Sequence, residues 1–204
     1  MKGLKYILLL AVLFTLGACQ RSQEERNRIL KVYNWADYID EDVLAEFPDW
    51  YKEQTGEDIE VIYQTFDINE IMLTKIERGH EDFDVVCPSE YIIERMMKKD
   101  MLQPINRDFG NTPDYIPNLA PYIQEELNKM SFDERKVTDY AVAYMWGTAG
   151  VLYNKGLVTE EEDLTCGSLW DPKFNNKILM KDSYRDCYGL SIIYANTERL
   201  QKGE

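Results

Sequence analysis

Between Ile29 and Lys98 the hydrophobic positions fall into short apolar runs separated by stretches of helical period. "ILKVYNW", residues 29–35, reads as a strand. "DEDVLAEF", residues 40–47, reads as a helix that Asp40 can cap, with acids in the first turn to complement the helix dipole. Pro48 is expected to break or kink it, a second piece running to Thr55 with Gly56 as the stop. "DIEVIYQ", residues 58–64, is the next strand. "DINEIMLTKIERG", residues 67–79, has a capping pair in Asp67 and Glu70, and it places Ile68, Met72 and Ile76 on one face. "FDVVCP", residues 83–88, has the look of a buried strand, and Ser89 can cap the helix "EYIIERMMKKD" that follows. Strand, helix, strand, helix at this spacing predicts an α/β fold with a parallel sheet and right-handed crossovers.

The pattern weakens beyond Pro104. "PINRDFGNTPDYIPNLAPY" holds four prolines and reads as loop, with a short helix expected at "IQEELNKM". Residues 137–154, "VTDYAVAYMWGTAGVLYN", read as two strands around Gly147. A helical turn near Trp170, a strand at Lys177–Met180 and a helix from about Tyr184 follow. Ser183 and Asp186 have the capping-box spacing at that helix start. The chain stops at "ERLQKGE" without a return strand, so a truncated parent is expected.

The N-terminus changes the picture of where this domain resides. Lys2 and Lys5 precede the apolar run "YILLLAVLFTLGAC", too short to span a bilayer and readable as a secretory signal. Its end, "LGAC" at Leu16–Cys19, resembles the lipobox of bacterial lipoproteins. That resemblance implies cleavage before Cys19 and acylation of this cysteine, anchoring the protein to a bacterial membrane through lipid. The alternative is an ordinary signal peptide with a chance cysteine. Residues 20–28 are polar and read as a flexible tether. Loss of residues 1–18 removes two lysines and no acid, so the net charge moves from −14 to −16. Such a surface repels nucleic acid and favours cations. Of the other cysteines, Cys166 and Cys187 are a possible disulfide pair, and Cys87 reads as a small buried residue. No metal-ligand spacing occurs, no cofactor is implied, and His80 lies in a polar turn.

Nucleophile-elbow, P-loop, dinucleotide and zinc-protease motifs are all missing from the sequence. With 37 acids, chance carboxylate pairs are common and argue little for catalysis. Three clusters stand out instead. Trp35, Asp37 and Tyr38 end the first strand. Ser89, Glu90 and Tyr91 follow the third. Ser183, Tyr184 and Asp186 follow the late strand. In open α/β sheets ligands bind just beyond the carboxyl ends of strands, where the first two clusters fall. Aromatic faces beside carboxylates and hydroxyls suit an organic ammonium ion: the ring attracts the cation by about 0.5–2 kcal/mol, and the oxygens replace its lost hydration. Rings at a strand end also serve simply as core edge, acids in a first turn serve the helix dipole, and Ser89 serves as a cap.

"VYNWADYI", "YQTFDINEIMLTKI", "DFDVVCPSEYIIERM" and "YAVAYMWGTAGVLYN" together resemble the periplasmic spermidine/putrescine-binding proteins of ABC importers, over most of residues 30–195. The resemblance implies a periplasmic-binding-protein-like two-lobed fold, with a first lobe at residues 29–140 and a crossover plus incomplete second lobe at 141–204. It implies a monomer that captures putrescine or spermidine, performs no catalysis and delivers the ligand to a membrane permease. It aligns Trp35 with an aromatic against the methylene chain, Asp37 and Tyr38 with polar groups near an amine, and Ser89 and Tyr91 with pocket residues. Asp186 matches an acid that receives an amine. Ser183 stands where spermidine binders carry another acid, which leaves room for putrescine. Ala36 replaces a hydroxyl seen in some members. Alternatives are the same fold with another organic cation or a small anion, a surface lipoprotein acting as an interaction module, or, third, an enzyme. No basic residue sits within the three clusters, although Arg185 adjoins the last.

Overall fold

The computed structural model describes residues 23–79, 81–110, 112–158 and 164–203. Cys19, expected to carry lipid, and His80 lie outside them. The chain divides into two compact units, with the boundary between Tyr144 and Met145.

The first unit is built on a three-stranded parallel sheet of order β2-β1-β3. Strand β1 spans Ile29–Trp35, β2 Glu60–Phe66 and β3 Val85–Val86. The β1–β2 register runs from Ile29 opposite Glu60 to Trp35 opposite Phe66. The pairing moves β2 two residues beyond its expected bounds: Glu60 N–H donates to the Arg28 carbonyl at 2.7 Å, and the ladder continues to Phe66. The third strand is shorter and wetter than "FDVVCP" suggested. It lies at the sheet edge, and Val85 is 44 % exposed.

Helix α1, Glu41–Thr55, is capped by the Asp40 side chain on Asp42 N–H and stopped by Gly56 in a left-handed conformation at φ 79°. It runs through Pro48 instead of breaking there. Pro48 removes one backbone donor, but the helix has no buried residue, so the orphaned carbonyl can turn to water. Helices α2, Asn69–Gly79, and α3, Glu90–Lys98, cover the sheet. Met72 and Leu73 from α2 and Ile92 and Met96 from α3 pack against Tyr33 and Phe66. Tyr33 stacks on Phe83 with ring centroids 4.5 Å apart and meets Phe66 edge-on at 5.0 Å. The Lys75 ammonium lies 4.9 Å from the Tyr33 ring centre and donates to Gln64 at 2.8 Å, so its charge is held by both a ring face and an amide.

The segment expected to be a tether contributes to this unit. Residues 23–26 are helical, and Arg26 binds Asp82 at 2.7 Å and Asp84 at 2.9 Å while Lys31 also pairs with Asp82. These hydrogen bonds, from Lys31 first and Arg26 second, hold the Asp82 carboxyl well below the usual aspartate range.

After α4, Pro121–Lys129, comes a hairpin absent from the sequence reading: β4, Ser131–Phe132, and β5, Arg135–Lys136. Asp133 and Glu134 both take positive φ, 46° and 66°, as a two-residue turn of the primed type requires. Arg135 ties the hairpin to α3 through the Met97 carbonyl at 2.9 Å. The two strands expected around Gly147 do not form. Among the described residues no strand forms a ladder with 141–154, and strand propensity without a neighbouring strand does not make a sheet.

The second unit holds two 3-10 turns, Cys166–Trp170 and Pro172–Phe174, then α5, Tyr184–Ala195, and α6, Thr197–Gln201. Trp170 stacks on Tyr194 at 4.2 Å with rings 3° from parallel. The strand expected at Lys177–Met180 is irregular chain with no ladder partner, and Leu179 is 98 % exposed. Cys166 is an exposed free thiol and Cys187 a half-buried one, so the possible disulfide is not formed. Cys87 is half-buried instead of fully enclosed; burial still pushes its thiol pKa up.

Because its pKa is depressed on folding, Asp82 adds stability that is fully present above the unfolded aspartate value of about 4 and is lost as pH falls below it. Denaturant midpoints measured from pH 7 downward are therefore expected to show a smaller acid loss in Asp82→Asn than in the unsubstituted protein. Equal slopes would remove Asp82 from the acid response.

Candidate functional site

Three parallel strands place their carboxyl ends along one edge. Trp35 ends β1, Phe66 ends β2, and Cys87 follows β3, its N–H donating to the Tyr33 carbonyl at 2.9 Å. The segments 35–38, 67–70 and 87–91 consequently leave the sheet side by side. Such an edge is where an open α/β sheet offers its loops to a ligand.

Two side-chain groups stand there. In the first, the Trp35 ring rests 4.6 Å from Phe66 and 6.0 Å from Tyr38. The core thus fixes the indole, and the indole steadies a Tyr38 ring that is 44 % exposed. Asp37 turns the chain between them with φ 58°, a left-handed conformation that aspartate tolerates better than most residues, and its side chain is exposed. The Tyr144 hydroxyl donates to the Tyr38 carbonyl, and the Tyr63 hydroxyl donates to the Trp35 carbonyl at 3.4 Å. The backbone that carries the two rings is held from both sides.

In the second group Asn69 is the hub. It is 6 % exposed and lies at the start of α2. Its amide donates to Ser89 Oγ at 2.9 Å and to the Tyr91 hydroxyl at 3.0 Å, and its carbonyl oxygen accepts the Ser89 backbone N–H at 3.2 Å. Tyr91 in turn donates to Glu70 Oε1 at 2.9 Å. Two expected roles change accordingly. Ser89 occupies the N-cap position of α3, but its side chain makes no cap bond, because the oxygen is turned to Asn69. Glu70 reaches across to Tyr91 on α3. Asn69 escaped the sequence reading. The available signal was one amide at the head of an otherwise apolar helix face, directly after a strand end.

Trp35 and Tyr91 pack against the same buried cluster, so one core supports both groups. In the second unit, Ser183 and Asp186 are joined within one turn: Ser183 Oγ accepts the Asp186 N–H at 3.3 Å and so caps α5. The Asp186 carboxylate is 3.3 Å from the Lys181 ammonium, a partner the sequence reading did not foresee. Among the described residues no group of three or more His, Cys, Asp or Glu side chains could hold a metal ion, and no helix is long and apolar enough to cross a membrane.

The chemistry on display is aromatic faces, carboxylates and hydroxyl oxygens at a sheet edge. No family model matches the chain. Individual proteins do. A spermidine/putrescine-binding periplasmic protein of Salmonella typhimurium is 31 % identical over 167 residues, 81 % of this chain and 44 % of the relative. A putrescine-binding periplasmic protein of Pseudomonas aeruginosa is 31 % identical over 197 residues, 94 % of this chain and 48 % of the relative. The chain is a homologue of polyamine-binding periplasmic proteins. It spans about half their length. Two solved structures agree. A candidate spermidine/putrescine ABC transporter from Listeria monocytogenes superposes with a TM-score of 0.65 at 37 % identity, covering 83 % of this chain and 48 % of the other. The spermidine/putrescine ABC transporter substrate-binding protein of Streptococcus pneumoniae gives 0.54 at 38 % identity, over 72 % and 41 %. The mixed α/β units therefore belong to a periplasmic-binding-protein fold, represented here over about half of it. The relatives are named for binding polyamines, and the Streptococcus pneumoniae protein as the substrate-binding protein of an ABC transporter, rather than for a catalysed reaction.

Asn69→Ala would strand the Ser89 N–H and empty the junction of α2 with the β3–α3 loop. The expected cost is about 1–3 kcal/mol in chemical denaturation, the range for a buried polar group left without its partner. A change below about 0.5 kcal/mol would show that water replaces the amide without penalty.

Proposed function

We propose that this chain is the polyamine-capturing part of a binding protein that serves an ABC importer, with putrescine or spermidine as ligand. The observation that carries the reading is the ring pair Trp35–Tyr38, standing beside Asp37 at the carboxyl edge of the parallel sheet. Flat rings cover an alkyl chain and attract its terminal cations, and the carboxylate replaces water around an ammonium ion. The names of the homologues support the same ligand class.

In this reading Trp35 lies against the methylenes, while Asp37 and Tyr38 meet one amine end. Ser89 and Tyr91 add hydroxyl oxygens from the neighbouring loop. Ser183 and Asp186 are proposed as further ligand residues from the resemblance. Lys181 holds the Asp186 carboxylate at 3.3 Å, so an ammonium ligand would have to displace this lysine to reach it. The ligand would pass to a membrane permease. The protein would act as a monomer in the periplasm, anchored through an acylated Cys19.

Calorimetric titration of the complete protein with putrescine and with spermidine tests the reading. Trp35→Ala is expected to weaken binding by about tenfold or more, the loss of one strong aromatic–cation contact with its apolar cover. Unchanged affinity would remove Trp35 from the site. Failure of the unsubstituted protein to bind either amine would overturn the ligand class.

A further inference from the structure

An ammonium group brings only hydrogen-bond donors, so the oxygens that receive it must act as acceptors. A tyrosine hydroxyl can serve in either sense. Around Tyr91 the sense is decided by two neighbours that the sequence reading did not place in the site. The Tyr91 proton goes to Glu70 Oε1 at 2.9 Å, and an ionised carboxylate offers no proton in return. Asn69 donates to the same phenol oxygen at 3.0 Å and to Ser89 Oγ at 2.9 Å. Asn69 is itself locked, since its carbonyl oxygen takes the Ser89 backbone N–H.

We propose that Glu70 and Asn69 are positioning residues for the polyamine site. Glu70 commits the Tyr91 proton away from the ligand, so the phenol oxygen meets an ammonium group as an acceptor. Asn69 holds that oxygen and the Ser89 oxygen in place. This arrangement favours a donor-only cation over ligands that need a hydroxyl proton, such as carboxylates. The inference rests on the polyamine reading and concerns how one side of that site is polarised. Asn69 is buried and the Tyr91 ring packs on the core, so the four residues move together or not at all.

A double-substitution cycle with putrescine as the titrant separates positioning from simple charge. Glu70→Gln can turn its amide to donate to the phenol, which releases the Tyr91 proton. It is expected to weaken binding by about tenfold, and the loss is expected to persist at high salt. In a Tyr91→Phe background the same substitution is expected to cost about twofold or less. Glu70→Asp keeps the charge but withdraws the oxygen by one methylene, and is expected to weaken binding as Glu70→Gln does. Thermal melting of each variant, unchanged within a few degrees, accompanies the titrations. Equal losses with and without the Tyr91 hydroxyl, a loss abolished by salt, or full affinity in Glu70→Asp would each overturn the proposal and leave Glu70 as a remote charge. An unsubstituted protein that binds neither putrescine nor spermidine would fail before any variant is compared, which identifies the polyamine reading as the point of failure and removes this inference with it; if it binds spermidine alone, the same cycle is run with spermidine.

Discussion

The pairing of β1 with a parallel neighbour on each side is the constraint on which the first unit depends. A central strand must bury both faces, and Tyr33 and Asn34, adjacent and pointing oppositely, are both almost fully enclosed. Tyr33 supplies the aromatic floor on which Phe66, Phe83 and the two covering helices pack. Asn34 would be costly on the other face without partners, and its oxygen accepts the Trp35 N–H at 2.8 Å. The register then sets Trp35 opposite Phe66, and the two rings touch. The position of the indole at the sheet edge is therefore a consequence of strand register, since a slip of one residue would turn Trp35 to the opposite face.

From that edge the chain builds outward in two ways. After β1 it makes a left-handed turn at Asp37 and presents an aromatic pair. After β2 and β3 it starts helices α2 and α3, whose first turns meet through Asn69, Ser89, Glu70 and Tyr91. Helix starts ordinarily satisfy their own backbone donors with the capping side chain. Here the Ser89 oxygen is diverted to a bond between the two helices, which links the loops after two different strands into one rigid group. Precision at the edge is obtained by giving up a local cap.

Much of this was legible because local rules and tertiary packing agree. The whole of β1, the Asp40 cap, the Gly56 stop and the Ser183 cap of α5 follow from residue type and spacing, and the structure keeps them. Disagreements occur where pairing or partners decide. "DIEVIYQ" and "FDVVCP" both have strand composition, but their limits depend on what β1 offers beside them. Residues 141–154 and Lys177–Met180 have the composition of strands and no ladder partner among the described residues. The β4–β5 hairpin was invisible because its turn uses Asp133 and Glu134 in place of a glycine-containing pair. Within the candidate site, the rings and Ser89 could be picked out by chemistry. Asn69 gave only the signal of an amide heading an apolar helix face, and Glu70 none, since an amide and an acid at a helix start have an adequate local reason to be there.

Charge is distributed along the sheet in a way that the net value of −14 conceals. At the amino edge, acids are answered by cations: Asp82 and Asp84 by Arg26, and Asp82 again by Lys31. These pairs neutralise locally and tie the N-terminal segment to the start of β3. At the carboxyl edge, no ion pair among the described residues reaches Asp37 or Glu70; Glu70 is met by a phenol, which leaves its charge intact. An acid answered by a hydroxyl remains an acid to an approaching cation, whereas one answered by a guanidinium does not. One sheet thus separates structural from available negative charge, and the available part lies where the aromatic rings are.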